Sequence, residues 1–322
     1  MTSAERGDND SDPLISVVVP TFERAALLPG LVTALEAQSL EDPFEVIVVD
    51  DGSTDGTADA LARLAASSPL NMSIISLPTN AGPAAARNEG VRAARGRFIA
   101  FTDDDCRPAS GWLAAGLRAF REGAAVVVGA TQPEGQPSSP FVRVLRVDRV
   151  AWCPTANVFY RRQDVLDAGG FDADFRACAE DADLAMRVTS RTGEAWFEPD
   201  ALVIHLNRGG TLRSALRIAW RWSDMPLFFK RHPQARRRLA HRRIFWKESH
   251  LPAAATILAM LASPFLWPAA LIAVPHAWYR SVHRPLGPPN APLRWVPGVM
   301  LVDITEVLAC LRGSLRHRTL LL

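Results

Sequence analysis

Lysine is almost missing from this sequence: of 36 basic residues only Lys230 and Lys247 are lysine, and the remainder are arginine. Beside so much alanine, that imbalance reflects coding bias rather than recognition chemistry. Cysteine is also scarce. Cys106, Cys153, Cys178 and Cys310 form no CxxC or paired spacing, which argues against a disulfide scaffold or a cysteine zinc site and for a reducing compartment. The opening residues, MTSAERGDNDSD, contain no apolar stretch, so residues 1–13 are expected to be a loose polar tail rather than a signal or transit peptide. Hydrophobic residues at 48% and charged residues at 22% of 322 exclude wholesale disorder and leave room for one large or two smaller domains.

Acidic residues are nearly absent from the last third. Residues 201–322 hold 4 Asp and Glu against 18 Lys and Arg, whereas residues 1–200 hold 30 against 18. The net charge of +2 therefore conceals an acidic part able to hold cations and a basic part suited to an anionic surface.

Short β-branched runs alternate with helical patterns over residues 14–130. Ile15–Val19, Phe44–Val49, Met72–Leu77 and Phe98–Phe101 have no polar face and read as buried strands. Ala25–Gln38, a segment ending at Ala66 with Ser53 or Asp55 as N-cap, and Ala84–Ala94 read as helices. This order predicts a doubly wound α/β unit with a mostly parallel sheet, whose ligands sit beyond the carboxyl ends of the strands. Farther on, Ala156–Tyr160 suggests a strand, Gln163–Ala168 and Asp181–Ser190 suggest helices, and Trp196-Phe197 and Leu202–Ile204 are separate apolar runs. Thr211–Lys247 is Arg-rich with a helical apolar stripe.

Three acidic clusters fall where that topology places a site: Asp50-Asp51-Gly52-Ser53, Asp103-Asp104-Asp105, and Glu180-Asp181-Ala182-Asp183. Three adjacent aspartates beside a low-dielectric sheet repel one another unless a cation or hydrogen-bond donors compensate. A hard divalent ion that also touches phosphate oxygens supplies such compensation.

Five motifs in register carry a family likeness. Val17–Arg24 (VVVPTFER), Val48–Asp55 (VVDDGSTD), Asn80–Asn88 (NAGPAAARN), Phe101–Asp105 (FTDDD), and Gly170-Phe171-Asp172 followed by Glu180–Leu184 (EDADL) resemble the family 2 glycosyltransferases over about residues 14–215. The resemblance implies a GT-A fold, a nucleotide-sugar donor, Mn²⁺ or Mg²⁺, and inversion at the anomeric carbon. Carried over residue by residue, it implies that Pro20, Thr21, Phe22 and Glu23 line the nucleoside pocket, with Asp51 facing the base and Arg87 nearby. Asp103 and Asp105 match the ends of the DxD motif with Asp104 between them near ribose or metal, and Asp181 matches the catalytic base. Glu180 and Asp183 would flank that base on the acceptor side. His205 stands where some relatives carry a further metal ligand, and an ordinary strand-end histidine fits as well. Glu23 departs from the asparagine more usual at its position. Cys106 and Cys153 read as packing residues, and Arg143, Arg146 and Arg149 as a solvated face. A sugar-1-phosphate nucleotidyltransferase would need a Gly-rich basic loop after the first strand, which Pro20–Arg24 lacks. A non-catalytic membrane scaffold retaining the fold is the other alternative.

Residues Leu251–Tyr279 contain no Asp, Glu, Lys or Arg, but Pro252, Pro264, Pro268 and Pro275 interrupt them. Arginine flanks the run on both sides, at Arg236–Arg238, Arg242-Arg243, Arg280 and Arg284, which disfavours a single crossing. In Trp295–Leu311, the spacing of Val296, Met300, Ile304 and Leu308 fits an amphipathic helix lying in an interface. Trp267, Trp278 and Trp295 suit headgroup depth. Residues 216–322 are thus expected to be a basic, apolar helical region on the cytoplasmic face of the membrane, with a re-entrant hairpin and surface helices. A two-span hairpin, and a soluble helical subdomain or dimer interface, are the alternatives. Without a nucleic-acid-binding motif, the basic stretch is assigned to anionic lipid, and the acceptor is expected to be lipid-linked or a polysaccharide.

Overall fold

The computed structural model describes residues 12–237, 244–262, 271–283 and 293–322. Most of the expected tail, together with Arg238, Arg242, Arg243, Pro264, Trp267, Pro268 and Arg284, lies outside these residues. The chain divides into two compact units. One comprises residues up to Gln132, Leu145–Ala173 and Glu180–Leu206. The other comprises Pro133–Val144, Asp174–Ala179 and Asn207–Leu322.

The first unit is built on one sheet. Its strands are β1 (Ile15–Thr21), β2 (Phe44–Asp50), β3 (Met72–Ser76), β4 (Phe98–Thr102), β5 (Cys106–Pro108), β6 (Val126–Pro133), β8 (Asn157–Arg161) and β9 (Ala195–His205), in the order β3-β2-β1-β4-β8-β6-β9-β5. The helices are α1 (Leu28–Glu36), α2 (Thr57–Ser67), α3 (Pro83–Ala93), α4 (Trp112–Arg121), α5 (Arg162–Asp167) and α6 (Glu180–Thr192). Alternate residues of β1 face opposite sides, and both sides are apolar: Val17 and Val19 pack with Leu28, Leu31, Trp112 and Leu117, whereas Val18 packs with Ala86, Val91, Leu184 and Val188. A strand covered on both faces can have no polar side.

Only β1 to β4 are parallel. β8 pairs antiparallel with β4 and β6, and β5 pairs antiparallel with β9. The sheet is therefore mixed, not mostly parallel as expected, because β8 enters between β4 and β6 running against both, and β5 runs against β9. The two apolar runs near residues 196 and 204 are one strand, β9, and the expected cap of α2 is Gly56 in a left-handed conformation. Asp55 accepts from the Thr57 amide, while Ser53 bonds Asp50 instead.

Two close approaches fix this sheet. Gly90 lets α3 settle on β1, since a Cβ there would lie 2.4 Å from Val18 Cγ1. Where β6, β8 and β9 meet, the buried Asn157 amide donates to Ala130 O and Ala201 O, both at 2.8 Å, and accepts from Trp112 Nε1 at 2.8 Å.

The second unit contains a small pair of strands, β7 (Val142–Arg143) and β10 (Arg208–Gly209). Its helices are α7 (Leu212–Trp220), α8 (Met225–Arg231), α9 (Pro233–Arg236), α10 (His250–Ala262), α11 (Ala273–Val282) and α12 (Val296–His317), with a 3₁₀ turn at Arg221–Asp224. α7 begins with a reciprocal Thr211–Ser214 capping box. α10, α11 and α12 pack against one another. Among the described residues no helix is long and apolar enough to cross a membrane. Arg143, Arg146 and Arg149 stand exposed on chain that is not helical.

At Gly129 a Cβ would meet Ala201 O at 2.2 Å and the Asn157 amide at 2.5 Å. Gly129→Ala is expected to destabilise the first unit by about 1–3 kcal/mol, read as a lower urea midpoint with an unchanged m-value.

Candidate active site

Because β1, β2 and β4 run in the same direction, residues 20–23, 50–53 and 102–105 gather along one edge of the sheet. Asp51 is buried at the end of β2. Its two carboxylate oxygens accept from the Ala81 and Gly82 amides at 2.7 and 2.8 Å, directly before α3. It thereby holds the loop that starts the helix bearing Arg87.

Arg87 is buried and joins two acidic clusters. One guanidinium nitrogen donates to Asp103 Oδ1 at 2.8 Å, and the other donates to Glu180 Oε1 at 3.2 Å. Burial opposes its charge, but Asp103 and Glu180 more than restore it, so the group is held protonated beyond its usual range. Asn88, the next residue on α3, accepts from Phe171 N and donates to Phe171 O, both at 2.8 Å. α3 thus fixes the Gly170-Phe171-Asp172 loop as well.

Each aspartate of the Asp103–Asp105 run has a different surrounding. Asp103 meets Arg87. Asp104 turns inward and accepts from Thr21 Oγ1 at 2.8 Å. Burial outweighs the Thr21 bond and, with Asp105 beside it, pushes the Asp104 carboxyl up to about 7. Asp105 lies beside His205, with Oδ1 and Nε2 3.5 Å apart. The β5–β9 pairing sets that distance, because Cys106 is in register with His205 and Leu206 N donates to Asp105 O at 2.8 Å.

Asp105, Cys106 and His205 each offer a ligand atom within 4.8 Å of the others. His205 is buried, and its Nδ1 has no hydrogen-bond partner among the described residues. The other ring nitrogen, Nε2, is the one beside the Asp105 carboxylate, and an imidazole and a carboxylate placed together can both ligate a cation. Burial, with Asp103 and Asp105 nearby, pushes the Cys106 thiol well up, so it stays protonated and the oxygen and imidazole donors define the set. That chemistry fits Mn²⁺ or Mg²⁺ better than a thiolate-seeking metal.

α6 opens with Glu180 and Asp181 after Ala179, a non-glycine residue at φ 71°. Asp181 is partly exposed and accepts from the Ala182 amide at 2.7 Å. Crowding by protein, reinforced by Glu180 and only partly offset by the amide and Arg87, pushes its carboxyl up to about 7. Asp183, expected on the acceptor side, is instead fully buried on Arg187 at 2.7 Å. Arg187 also donates to Ala168 O and Gly170 O, so this pair secures α6 to the preceding loop. Glu180 is likewise buried, on Arg87.

Around the expected nucleoside pocket, Pro20 and Thr21 end β1 and Phe22 is exposed. Glu23 has φ 51°. Its amide donates to Ser53 Oγ at 2.8 Å, and its carboxylate accepts from Thr54 Oγ1 at 3.3 Å. Asp51, Asp103, Asp104, Asp105, Glu180 and Asp181 thus form one continuous set through Arg87, α3 and Thr21. Asn88 stands inside the Asn80–Asn88 motif, yet its local spacing gives no sign of the bonds it makes to Phe171.

Residues 16–181, just over half of the chain, match the model of the family described as Glycosyl transferase family 2. The chain belongs to this family. Its relatives include the Pre-mycofactocin glycosyltransferase of Mycobacterium tuberculosis, 31% identical over 213 residues, covering 60% of this chain and 43% of that protein. A second is the GalNAc(5)-diNAcBac-PP-undecaprenol beta-1,3-glucosyltransferase of Campylobacter jejuni, 34% identical over 131 residues, covering 40% of this chain and 42% of that protein. The chain therefore spans less than half the length of these two relatives. A mannosyltransferase from Pyrobaculum calidifontis, solved in complex with GDP-Man and Mn²⁺, is similar in fold with a TM-score of 0.57 at 20% identity, over 97% of this chain and 89% of that one. The family 2 member described here has the mixed α/β GT-A fold.

Asp181 gains stability from its proton in the folded state. That contribution is complete below its unfolded value near 4 and is lost as pH rises through about 7. At pH 8 Asp181→Asn is therefore expected to raise Tm, by roughly 2–4 °C for each kcal/mol regained. A pH series of thermal melts should show the gap between variant and wild type closing toward pH 4.

Proposed function

We propose that this family 2 protein is an inverting, metal-assisted glycosyltransferase. It moves a sugar from a nucleotide-sugar donor to the hydroxyl of a lipid-linked or cell-envelope glycan acceptor. The observation that carries the reading is Asp181, a carboxyl raised to about 7 and tied through Glu180 and Arg87 to the Asp103–Asp105 cluster. A general base is most effective when its pKa lies near the working pH.

In the proposed reaction the Asp181 carboxylate takes the acceptor hydroxyl proton as that oxygen attacks the anomeric carbon. The bond from this carbon to the diphosphate oxygen breaks on the opposite side, and its electron pair leaves with the nucleoside diphosphate. One displacement from the opposite face inverts the centre. Asp103, Asp105 and His205 would hold the divalent cation, which supplies electrostatic stabilisation to the departing diphosphate. Pro20–Glu23, Asp51 and Asp104 would receive the nucleoside. Arg87 orients Asp103 and keeps Glu180 paired. The Mn²⁺ and GDP-Man bound by the Pyrobaculum protein support the metal and the donor class. The undecaprenol named for the Campylobacter relative supports a lipid-linked acceptor.

Asp181→Asn is expected to reduce transfer by about 10²–10⁴-fold while nucleoside diphosphate affinity is retained, measured by product formation and calorimetry. The wild-type kcat/KM should rise with pH up to about 7 and then level off. Chelation of divalent ions should stop transfer, and added Mn²⁺ or Mg²⁺ should restore it. Failure to turn over any nucleotide-sugar with either ion would overturn the reading.

A further inference from the structure

In the helical unit, α10, α11 and α12 bury several polar groups among small and apolar ones, while a number of large apolar side chains stand outside, where an ordinary water-facing bundle is polar. The inward stripe of α10 is His250, Ala253, Thr256 and Ala259. α12 turns Asp303 and Glu306 inward, and both are buried. Asp303 accepts from Arg280 Nε at 2.5 Å and contacts His276 Nε2 at 3.0 Å. His276 Nδ1 in turn lies 3.2 Å from Thr256 Oγ1. Glu306 is held by Lys247 at 2.7 Å and His250 at 3.1 Å. Meanwhile Leu258 and Leu261 on α10 are 67% and 69% exposed, and Val274 and Trp278 on α11 are 58% and 64% exposed.

We infer that the outer faces of α10 and α11 dock into one leaflet of an anionic lipid bilayer, lying in its plane rather than crossing it. Among the described residues neither helix is long enough to cross. Thirteen residues of α10 and ten of α11 reach about 20 and 15 Å at ~1.5 Å per residue, short of the ~30 Å hydrocarbon core. Charge selects lipid over a second copy of the chain. Of the four acidic side chains in residues 207–322, Asp224, Asp303 and Glu306 are buried and only Glu248 is exposed. Arg294, Arg312, Arg316 and Arg318 are among the exposed bases. Two such surfaces would repel each other, whereas anionic headgroups complement both. Immersed apolar side chains with arginine at headgroup level are the arrangement of interfacial helices. The cytoplasmic leaflet carries the required negative charge. Docking depends on neither the donor nor the base, so its failure and a failure of sugar transfer are read in separate assays.

The test is flotation of the full chain with vesicles of phosphatidylcholine alone and of an equal mixture of phosphatidylcholine and phosphatidylglycerol. Wild type should float with the mixture, and less so with phosphatidylcholine or at high salt. Leu258→Glu/Leu261→Glu alters only exposed positions and should lower partition by at least tenfold or so per residue, while nucleoside diphosphate binding is unchanged. As a measurement independent of that variant's folding, brominated phosphatidylglycerol should quench wild-type tryptophan fluorescence, and Trp278→Phe should lose part of the quench. Wild type failing to float with either vesicle, absence of quenching, or a folded double variant floating like wild type would each overturn the proposal. A wild-type dimer dispersed by the double variant, with no lipid partition, would instead assign the face to a second copy.

Discussion

The acidic site depends on one guanidinium. Asp103, Asp104, Asp105, Glu180 and Asp181 concentrate negative charge around the sheet edge, and Arg87 is the buried cation that answers it from two sides. A lysine would supply charge without a planar fork able to bond two carboxylates on different elements. Asp51 sets the loop before α3, Gly90 seats the helix, and Asn88 fastens the Gly-Phe-Asp loop. One short helix therefore positions Asp103 and the start of α6 together. Arg87 neutralises Asp103 and Glu180 but leaves Asp104 and Asp181 with raised values. The same surroundings thus give the site both fixed charge and a carboxyl that titrates near neutrality.

Much of the fold was legible because β1, β2 and β4 are covered on both faces and have no polar side to blur their pattern. The acidic clusters stood at strand ends, and parallel pairing of those strands brings them together. Less legible was the return of the sheet through β8, β6 and β9, since the order of strands and helices along the chain does not say which strands pair antiparallel. β9 does not show as one strand in the sequence because Glu198, Pro199 and Asp200 interrupt its apolar residues. Asp183 shows the limit of motif reasoning: one turn of helix directs it to Arg187, while Asp181 remains at the rim. Thr21, Asn88 and Asn157 act through partners tens of residues away, and nothing in their local spacing announces those bonds.

In the helical region, the Val296, Met300, Ile304 and Leu308 spacing marked a stripe, and these residues are half-buried or exposed while Asp303 and Glu306 turn inward. The two acids are interior because His250, His276, Lys247 and Arg280 meet them there. Burial taxes each charge, yet both carboxyls are held below their ordinary range, Asp303 by His276 and Arg280 and Glu306 by Lys247 and His250. Removing one member of such a buried pair strands its partner, so these contacts are interdependent.

Gly90 carries a consequence for how this protein can diverge. Its missing side chain is what lets α3 rest on Val18, and Arg87 sits one turn earlier on that helix. Any added atom would first be felt as a packing fault and then, through a tilted helix, as slack in a bond to Asp103 or Glu180. Drift at residue 90 is therefore restrained by chemistry it never touches, and an apparently inert hydrogen atom becomes part of the protein's electrical wiring.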